Sequence, residues 1–501
     1  MSKKYILPAA IMQKADNATI EEVGIGQDVL MERAALAVAS KVKSYEPQKV
    51  LCICGTGNNG GDALAVARIL LMQGVNADVF LCGKPEKYKP AVVKQYDIFQ
   101  KVGGRTITTT DFTEYDIIVD GIFGIGLERN LEGFYTDIVA YINQAGENKT
   151  KIISVDIPSG IHTDTGVVMG CAVKADETVA FAYYKPGHPV YPGAEYCGKV
   201  SVEEIGISHL FIEDAYKADT FTMERDILPY LPKRPRNGNK GTFGRVLIVA
   251  GSSAMYGACY LSALATLRMG VGLVDIFTHE VNRTAVQTML PEAILHTYED
   301  CNVDLNKLHE LMERADCVVI GPGLSTSDIA VDLVKTVLEH CTKPVVADAD
   351  ALNCIAVHKE LLQVIKDLKK NVIVTPHPAE LSRLTGKSVS ELKADYINSV
   401  KSFAKEFGLI VVGKDAGTVV SNGDCTYINQ TGNSGMATAG SGDVLSGIIG
   451  ALCAQKESIF DSAWKGVCLH GKAGDLAMRQ MNSYSMIARD IANALADIMK
   501  E

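Results

Sequence analysis

Short segments of wholly apolar residues alternate along this chain with stretches that carry the apolar spacing of helices. In the first part of the chain the apolar segments fall at residues 50–54, 77–82, 117–119, 152–155 and 178–182. Helical spacing lies between several of them, for example at residues 63–73. Strands that are apolar throughout and alternate with helices are typical of a parallel sheet covered on both faces. The pattern therefore predicts an α/β fold.

A second series of the same kind follows a polar joint at residues 228–241, which contains three prolines. Prolines at this density interrupt any helix or central strand. The later apolar segments fall at residues 246–250, 273–277, 317–320, 345–347, 372–374 and 409–412, with helical spacing notably at 258–269. A chain of 501 residues is also too long for one hydrophobic core. We therefore expect two α/β domains, at residues 1–220 and 221–501.

The composition narrows the class of protein. Hydrophobic residues make up 47% of the chain and charged residues 22%, the balance of an ordinary folded protein. The formal net charge of −10 argues against an extended surface for nucleic acid or anionic membrane, because such surfaces are basic. No apolar run is long enough for a signal peptide or a membrane span. The 13 cysteines are scattered without paired CxxC spacing, which is typical of reduced thiols and predicts a cytoplasmic protein.

A glycine-rich loop, GTGNNGGD at 55–62, follows the first apolar strand of the first domain. Gly55, Gly57 and Gly60 formally match the GxGxxG fingerprint of a dinucleotide-binding turn. Asp62 argues against that interpretation, because its charge would oppose a pyrophosphate at the start of the following helix. The next strand also ends without an acidic residue for a ribose. The alternatives are a site of close approach for another ligand and a tight turn that binds nothing.

Two further strands of the first domain end in carboxylates, Asp120 and Asp156. In open α/β sheets, ligands bind beyond the carboxyl ends of the strands. A single aspartate there is explained by capping of the next turn. Two of them, together with Asn58, Asn59 and Asp62, predict an oxygen-rich rim suited to a hard cation and to a ribose or amide.

The motifs NNGGD at 58–62, DGIFGIG at 120–126, VDIPSG at 155–160 and KPGH at 185–188 resemble those of the NAD(P)H-hydrate epimerase family, whose fold is Rossmann-like with three layers. The resemblance covers nearly the whole first domain. It implies contacts to the hydrated dinucleotide from Asn58, Asn59, Gly60, Gly61, Asp62, Gly124, Ile125, Gly126, Leu127, Glu128, Arg129, Asn130 and Asp156. It also implies a potassium ion held by Asn59, Asp120 and Ser159. Two departures are Ala63, where the family usually has glycine, and His162, which would place an additional group near the rim.

The strongest signal of the second domain is the segment that ends in GSGD at 440–443 and runs into an apolar helix at 444–453. Gly440 and Gly442 leave backbone amides bare at a helix start, where the helix dipole favours developing negative charge. Asp443 lies beside them and could take a proton from an alcohol, or could cap the helix. His377 lies between two prolines that fix its backbone, although a turn histidine without a function is the alternative.

GSGD resembles the anion hole and catalytic aspartate of ribokinase-like kinases. With KGTFGR at 240–245, GPGL at 321–324, DADALN at 348–353, HPAE at 377–380 and residues 433–443, the second domain resembles the ADP-dependent NAD(P)H-hydrate dehydratase. The resemblance implies nucleotide contacts from Lys414, Asp415, Ala416, Gly417, Thr418, Gly440 and Gly442, and hydrate contacts from Ala258, Gly323, His377 and Asp443. It implies ADP as phosphoryl donor with Mg²⁺. Asp415 and Ser325 differ from the commoner residues of that family.

Together the resemblances imply epimerisation of R- and S-NAD(P)HX, followed by ADP-dependent dehydration of the S form with release of AMP and phosphate. Asp156 is the expected acid/base of the first reaction and Asp443 that of the second. The alternative is a small-alcohol kinase of a vitamin precursor whose first domain only binds and senses a nucleotide. The expected partners are NADHX, NADPHX and ADP, without nucleic acid or membrane, and we expect a homo-oligomer.

Overall fold

The structure, a computed structural model, describes residues 4–208, 221–223, 227–228, 231–300, 303–369 and 371–500. The chain divides into two compact units, Met1–Thr222 and Met223–Glu501. The proline-rich joint expected at residues 228–241 therefore lies inside the second unit, and two of its residues, Pro229 and Tyr230, are outside the described residues.

The first unit is built on a seven-stranded sheet, in which the strands have the order β4-β3-β2-β5-β6-β7-β8 and are all parallel. The strands of this sheet are β2 Lys49–Cys54, β3 Asn76–Leu81, β4 Arg105–Ile107, β5 Ile117–Gly121, β6 Lys151–Val155, β7 Glu177–Phe181 and β8 Lys199–Glu203. Strand β1 Lys4–Ile6 lies outside this sheet, and β9 Phe221–Met223 lies at the unit boundary. The helices of this unit are α1 Ala9–Glu21, α2 Gln27–Lys43, α3 Asn58–Met72, α4 Pro90–Lys101, α5 Phe134–Glu147 and α6 Gly193–Cys197.

Alternate residues of β2 enter two separate hydrophobic clusters, which makes the unit three layers thick. Val50 packs with α2 and α3 in one cluster, and Leu51 packs with α5 in the other. Both side chains are completely buried, as expected for a central strand that is covered on both faces.

The second unit has a mixed sheet that includes the order β18-β17-β16-β15-β14-β13-β10-β11-β12. The strands are β10 Arg245–Val249, β11 Leu273–His279, β12 Ile294–Tyr298, β13 Cys317–Ile320, β14 Val345–Ala347, β15 Val372–Val374, β16 Ile410–Gly413, β17 Val419–Ser421 and β18 Thr426–Ile428. The helices are α7 Tyr256–Arg268, α8 Arg283–Met289, α9 Leu305–Arg314, α10 Asp328–His340, α11 Asp350–Val357, α12 Glu360–Asp367, α13 Pro378–Thr385, α14 Val389–Ala394, α15 Tyr396–Phe407, α16 Ser441–Ala454, α17 Ile459–Gln480 and α18 Ala488–Ile498.

Strands β10 to β16 of the second sheet are parallel, whereas β16, β17 and β18 pair antiparallel. Helices α7, α16, α17 and α18 pack against the sheet in an apolar cluster of this unit. The expected architecture, α/β with two domains, is confirmed. The antiparallel strands β17 and β18 were not expected, because Ser421 and Thr426 interrupt their short apolar runs.

Two further features, helix hydropathy and cysteine state, concern the described residues of both units. Within the ranges that the structure describes, no helix is long and apolar enough to cross a membrane. The cysteines that are described are all free thiols, and most of them are buried.

Candidate functional site

A cavity of about 620 Å³ lies in the first unit, beyond the carboxyl ends of β2, β5 and β6. Nine of the residues expected to contact the dinucleotide line it: Asn58, Asn59, Asp62, Gly124, Ile125, Gly126, Leu127, Glu128 and Asp156. Gly60, Gly61, Arg129 and Asn130 are not among its lining residues. The cavity therefore lies where the sequence placed a ligand, and most of the expected contacts meet there.

The glycines of the first loop allow close packing between β2, the first turn of α3 and the segment after β5. Helix α3 begins at Asn58, so the NNGGD motif is its first turn. A side chain at Gly60 would collide with the carbonyl of Gly55, and one at Gly121 would collide with the methyl group of Ala63. Ala63, a departure from the family pattern, thus packs over Gly121 and leaves the helix in place.

An oxygen-rich cluster stands beside the cavity. The carboxylate of Asp120, which is completely buried, accepts hydrogen bonds from the Ser159 hydroxyl at 2.6 Å and from the Ser154 hydroxyl at 2.8 Å. The Phe123 carbonyl accepts from the Asn59 amide at 3.0 Å and from the Ser159 hydroxyl at 3.3 Å. Burial raises the pKa of Asp120, and the hydrogen bonds from Ser159 and Ser154 oppose that shift. The three residues expected to hold a cation are therefore brought together.

Asp156 is held by a buried cation that the sequence did not predict. Its backbone has a φ of +63°, and its Oδ1 accepts hydrogen bonds from the Phe181 N–H at 2.9 Å and from the Lys185 ammonium. The Lys185 side chain is completely buried and also donates to the Phe181 carbonyl at 2.9 Å. Asp156 and Lys185 thus form a buried ion pair at the edge of the cavity.

His188 orients this ion pair. Its Nδ1 accepts from the Lys185 N–H at 3.0 Å, so its Nε2 carries the proton and donates to the Asp156 carbonyl at 2.8 Å. Burial and the nearby Lys185 lower the pKa of His188 to about 4, which keeps the imidazole neutral. The KPGH motif therefore supplies both the counter-ion of Asp156 and the group that fixes its backbone.

Asp16, on α1, lines the same cavity as Asp62 and Asp156 and was missed by the sequence analysis. Burial, followed by the charges of Asp156 and Asp16, raises the pKa of Asp62 well above its usual range. Burial and Asp156 also raise the pKa of Asp16. His162 does not line the cavity, contrary to expectation, because its Nδ1 accepts from the Asp164 and Thr165 N–H groups and closes its own turn.

The candidate site of the second unit begins at the first turn of α16. Gly440 precedes this helix with a φ of +89°, a conformation that glycine adopts without strain, and no side chain caps the helix. Asp443 lies in this first turn and does not serve as a cap. Burial, followed by the charge of Asp348, raises its pKa to about 7, whereas Lys414 opposes the rise. A carboxyl group with this pKa is suited to proton transfer near neutral pH.

Lys414 joins the acidic groups around Asp443. Its ammonium lies 2.8 Å from Asp348 Oδ1 and 3.8 Å from Glu380 Oε2. A Cβ added to Gly442 would lie 3.3 Å from the same ammonium, so Lys414 stands directly beside the bare helix start. Asp348 and Glu380 occur in the DADALN and HPAE motifs, but only the fold shows that they contact Lys414.

His377 has the fixed ring direction that the flanking prolines suggested, and its hydrogen bonds supply the cause. Its Nδ1 accepts from the Ala379 N–H at 3.1 Å, and its own N–H donates to Glu380 Oε2 at 2.8 Å. These bonds form a capping box at the start of α13. The ring is half exposed, and burial and Lys414 lower its pKa.

The remaining expected residues of the second unit fall into two groups. Ala258 and Gly323 are in contact, since a Cβ on Gly323 would lie 2.9 Å from that of Ala258. In the loop after β16, the Thr418 hydroxyl donates to the Asp415 carbonyl at 2.9 Å and the Ala416 N–H donates to the Asp415 carboxylate at 3.0 Å. The Asp415 carboxylate also pairs with Lys393 at 3.0 Å, so this loop is braced from α14.

Comparison with known proteins gives a consistent result for both units. Residues 246–497 match the family model described as NAD(P)H-hydrate dehydratase, and residues 27–187 match that of the YjeF-related protein N-terminus. A ribokinase-like superfamily protein of Enterococcus faecalis, known from a crystal structure, is 28% identical with a TM-score of 0.50. The match covers 56% of this chain and 95% of that one.

Two relatives match this chain over almost its full length. The bifunctional NAD(P)H-hydrate repair enzyme Nnr of Moorella thermoacetica is 35% identical, and the match covers 99% of this chain and 97% of that protein. The protein of the same name from Escherichia coli is 33% identical, with 97% and 92% covered. The chain therefore belongs to the family of bifunctional NAD(P)H-hydrate repair enzymes.

Proposed function

We propose that this protein restores hydrated NADH and NADPH in two steps. The first unit interconverts the R and S epimers of NAD(P)HX, and the second dehydrates the S epimer with ADP, releasing AMP and phosphate. The observation that carries the proposal is Asp443, a carboxyl group with a pKa near 7 beside the bare helix start and the Lys414 ammonium. Such a group can deprotonate an alcohol at the helix start, where the bare amides would stabilise a phosphoryl group.

In the first unit the substrate carbon C6 carries a hydroxyl group next to the ring nitrogen. Loss of that hydroxyl gives a nitrogen-stabilised cation, and water can then add to either face. We assign the binding of the dinucleotide to Asn58, Asn59, Gly60, Gly61, Asp62, the segment 124–130 and Asp156. We assign Asp156, which lines the cavity, as the carboxylate that acts on the developing cation.

The oxygen-rich cluster fits a potassium ion. It offers the Asp120 carboxylate, the Ser159 hydroxyl, the Phe123 carbonyl and the Asn59 side chain, which are oxygen donors of the type that a hard cation takes. A bound cation would offset the buried charge of Asp120, whose pKa burial raises. We infer that Asn59, Asp120 and Ser159 hold this ion. We also infer that the ion fixes the backbone at Gly124, which lines the cavity.

Removal of the Asp120 carboxylate is expected to empty the cation site. In Asp120→Ala the main charge of the cluster is lost, so hydrate binding by the first unit should weaken while dehydration of pure S epimer by the second unit is retained. Crystals soaked in rubidium should show an anomalous peak beside Ser159 in the wild type and none in the variant. A wild-type map without that peak would identify the oxygen cluster as purely structural.

In the second unit Asp443 would accept the proton of the C6 hydroxyl as it attacks the terminal phosphate of ADP. The amides at Gly440 and Gly442 would stabilise the transferring group, and elimination of phosphate would then restore the ring double bond. We assign Lys414, Asp415, Ala416, Gly417 and Thr418 to the nucleotide, and Ala258, Gly323 and His377 to the hydrate.

Magnesium fits this site as a partner of the nucleotide. Among the residues that the structure describes, no group of three or more His, Cys, Asp or Glu side chains could hold a metal ion. Mg²⁺ commonly binds through one or two carboxylates together with substrate phosphates, so it needs no cage made by the protein alone. When bound, the ion would neutralise charge on the transferring phosphoryl group, and Asp348 is a nearby carboxylate that Lys414 already engages.

Lys414 is expected to set the pH dependence of dehydration. Asp443 must be deprotonated to act, so the rate rises with pH through its pKa of about 7. In Lys414→Met the charge that opposes this pKa rise is lost, and the rising limb of kcat should move to higher pH. Lys414→Arg should restore it. A pH profile of kcat that is identical in Lys414→Met and wild type would contradict this role.

The direct test is to incubate mixed R- and S-NADHX with the protein and ADP. Complete recovery of NADH absorbance with equimolar AMP and free phosphate is expected. A stable phosphorylated product without NADH would instead favour a small-alcohol kinase. A cytoplasmic location, consistent with the free thiols of the described cysteines, and a homo-oligomeric state remain predictions.

A further inference from the structure

Five carboxylates line the cavity of the first unit, and three of them, Asp16, Asp62 and Asp156, influence one another's charge. Asp16 comes from α1, Asp62 from the first turn of α3, and Asp156 from the end of β6. Asp156 pairs with Lys185. In the part of the chain that the structure describes, no hydrogen bond or ion pair reaches the carboxyl group of Asp62. Two carboxylates in such different environments are suited to different roles in one reaction.

The surroundings of Asp156 provide it with a counter-charge. Its carboxylate pairs with the Lys185 ammonium, and that lysine side chain is completely buried. An unpaired buried ammonium is strongly unfavourable. The Phe181 N–H donates a further hydrogen bond to the Asp156 carboxylate, and the neutral His188 donates to the Asp156 backbone carbonyl.

The surroundings of Asp62 have the opposite effect. It is partly buried, and the two charged groups that shift its pKa, Asp156 after β6 and Asp16 on α1, are both acidic. The other charged residues that line the cavity are Glu128, Asp164 and Lys89. Because burial and, after it, the like charges of Asp156 and Asp16 disfavour the ionised form, the pKa of Asp62 is raised well above its usual range.

We propose that Asp62 carries the proton of the epimerisation, while Asp156 stays ionised and holds the cationic ring. Asp62 gives its proton to the C6 hydroxyl, the C6–O bond breaks, and water leaves with the electron pair. Water then adds to the other face of the ring and returns a proton to Asp62, so atoms, electrons and protons balance. This inference rests on the proposed function and amends the acid/base role that the sequence suggested for Asp156.

The test follows interconversion of a single NADHX epimer by the full chain without nucleotide, so that the second unit stays idle. The wild-type rate above the enzyme-free rate should fall as pH rises, because Asp62 must be protonated to act. Asp62→Asn should lose at least about a hundredfold in rate together with this falling limb, and Asp62→Glu should recover part of both. Asp16→Asn, which removes a like charge, should keep the falling limb but move it to lower pH.

Several results would overturn the inference. One is a pH profile of Asp62→Asn that equals that of the wild type. Another is a falling limb that lies at the same pH in Asp16→Asn as in the wild type. Asp62→Asn should have a melting temperature no lower than that of the wild type. The amide carries no charge, so it avoids the unfavourable free energy of placing a third acidic group beside Asp16 and Asp156. If it did not fold, the Asp16→Asn shift alone would decide. A wild-type protein that fails to interconvert the epimers would overturn the proposed function itself.

Discussion

Replacement of Asp443 by asparagine is expected to slow dehydration of S-NADHX by at least about a hundredfold, the usual effect of removing a general base. Asparagine has nearly the same size and keeps a polar group beside Lys414, so binding of hydrate and ADP should change little. The loss should therefore appear in kcat and not in KM. The rise of the rate through pH 7, which follows the Asp443 pKa of about 7, should also vanish.

Asp424→Asn provides the matched control, because Asp424 is an exposed aspartate of the same unit. It should have the wild-type rate and pH profile. Turnover by Asp443→Asn within a few-fold of this control would show that another group activates the hydroxyl. A large increase in KM without a change in kcat would make Asp443 a binding residue only.

Replacement of Lys185 by methionine is expected to destabilise the first unit strongly. Lys185 is completely buried against Asp156, and breaking a buried ion pair from one side costs about 3–5 kcal/mol in the free energy of unfolding, since the other charge is left unpaired. Calorimetry of the full chain should show a lower melting transition for the first unit and an unchanged one for the second.

Lys87→Met is the control, because Lys87 is an exposed lysine of the same unit. Adding Asp156→Asn to Lys185→Met should recover part of the lost stability, because the second change removes the unpaired charge. Equal melting of Lys185→Met and Lys87→Met would show that the ion pair contributes little. Failure of the double variant to recover any stability would point to lost packing of the lysine stem instead.

The parallel strands and the helix starts at glycine motifs could be predicted from the sequence, because both depend on the pattern of neighbouring residues. Strand β13 Cys317–Ile320 was predicted with the bounds that the structure has, since Asp316 and Gly321 delimit its wholly apolar run. The helical start at GSGD was also foreseen from its glycines. The NNGGD motif, expected in the loop before the helix, forms the first turn of α3, where Gly60 packs closely against the Gly55 backbone.

Contacts between distant segments could not be predicted from local patterns. Asp16 joins the first cavity from α1, more than a hundred residues before Asp156, and nothing in the spacing of α1 distinguishes it from a solvent-exposed acid. The ion pair of Lys185 with Asp156 and that of Lys414 with Asp348 likewise depend on the tertiary fold. These pairs give Asp156 and Asp348 their counter-charges, so the sequence identified the sites but not the ion pairs within them.

The central claim is that two successive reactions are carried out by two separate sites of one chain. Complementation between Asp156→Asn and Asp443→Asn, each in the full chain, tests it most directly. With mixed NADHX and ADP, Asp156→Asn should convert the S epimer and then slow to the spontaneous rate, and Asp443→Asn should form no NADH. Mixing the two proteins should restore complete conversion. Rapid use of both epimers by Asp156→Asn alone, or no recovery on mixing of two folded proteins, would contradict the claim.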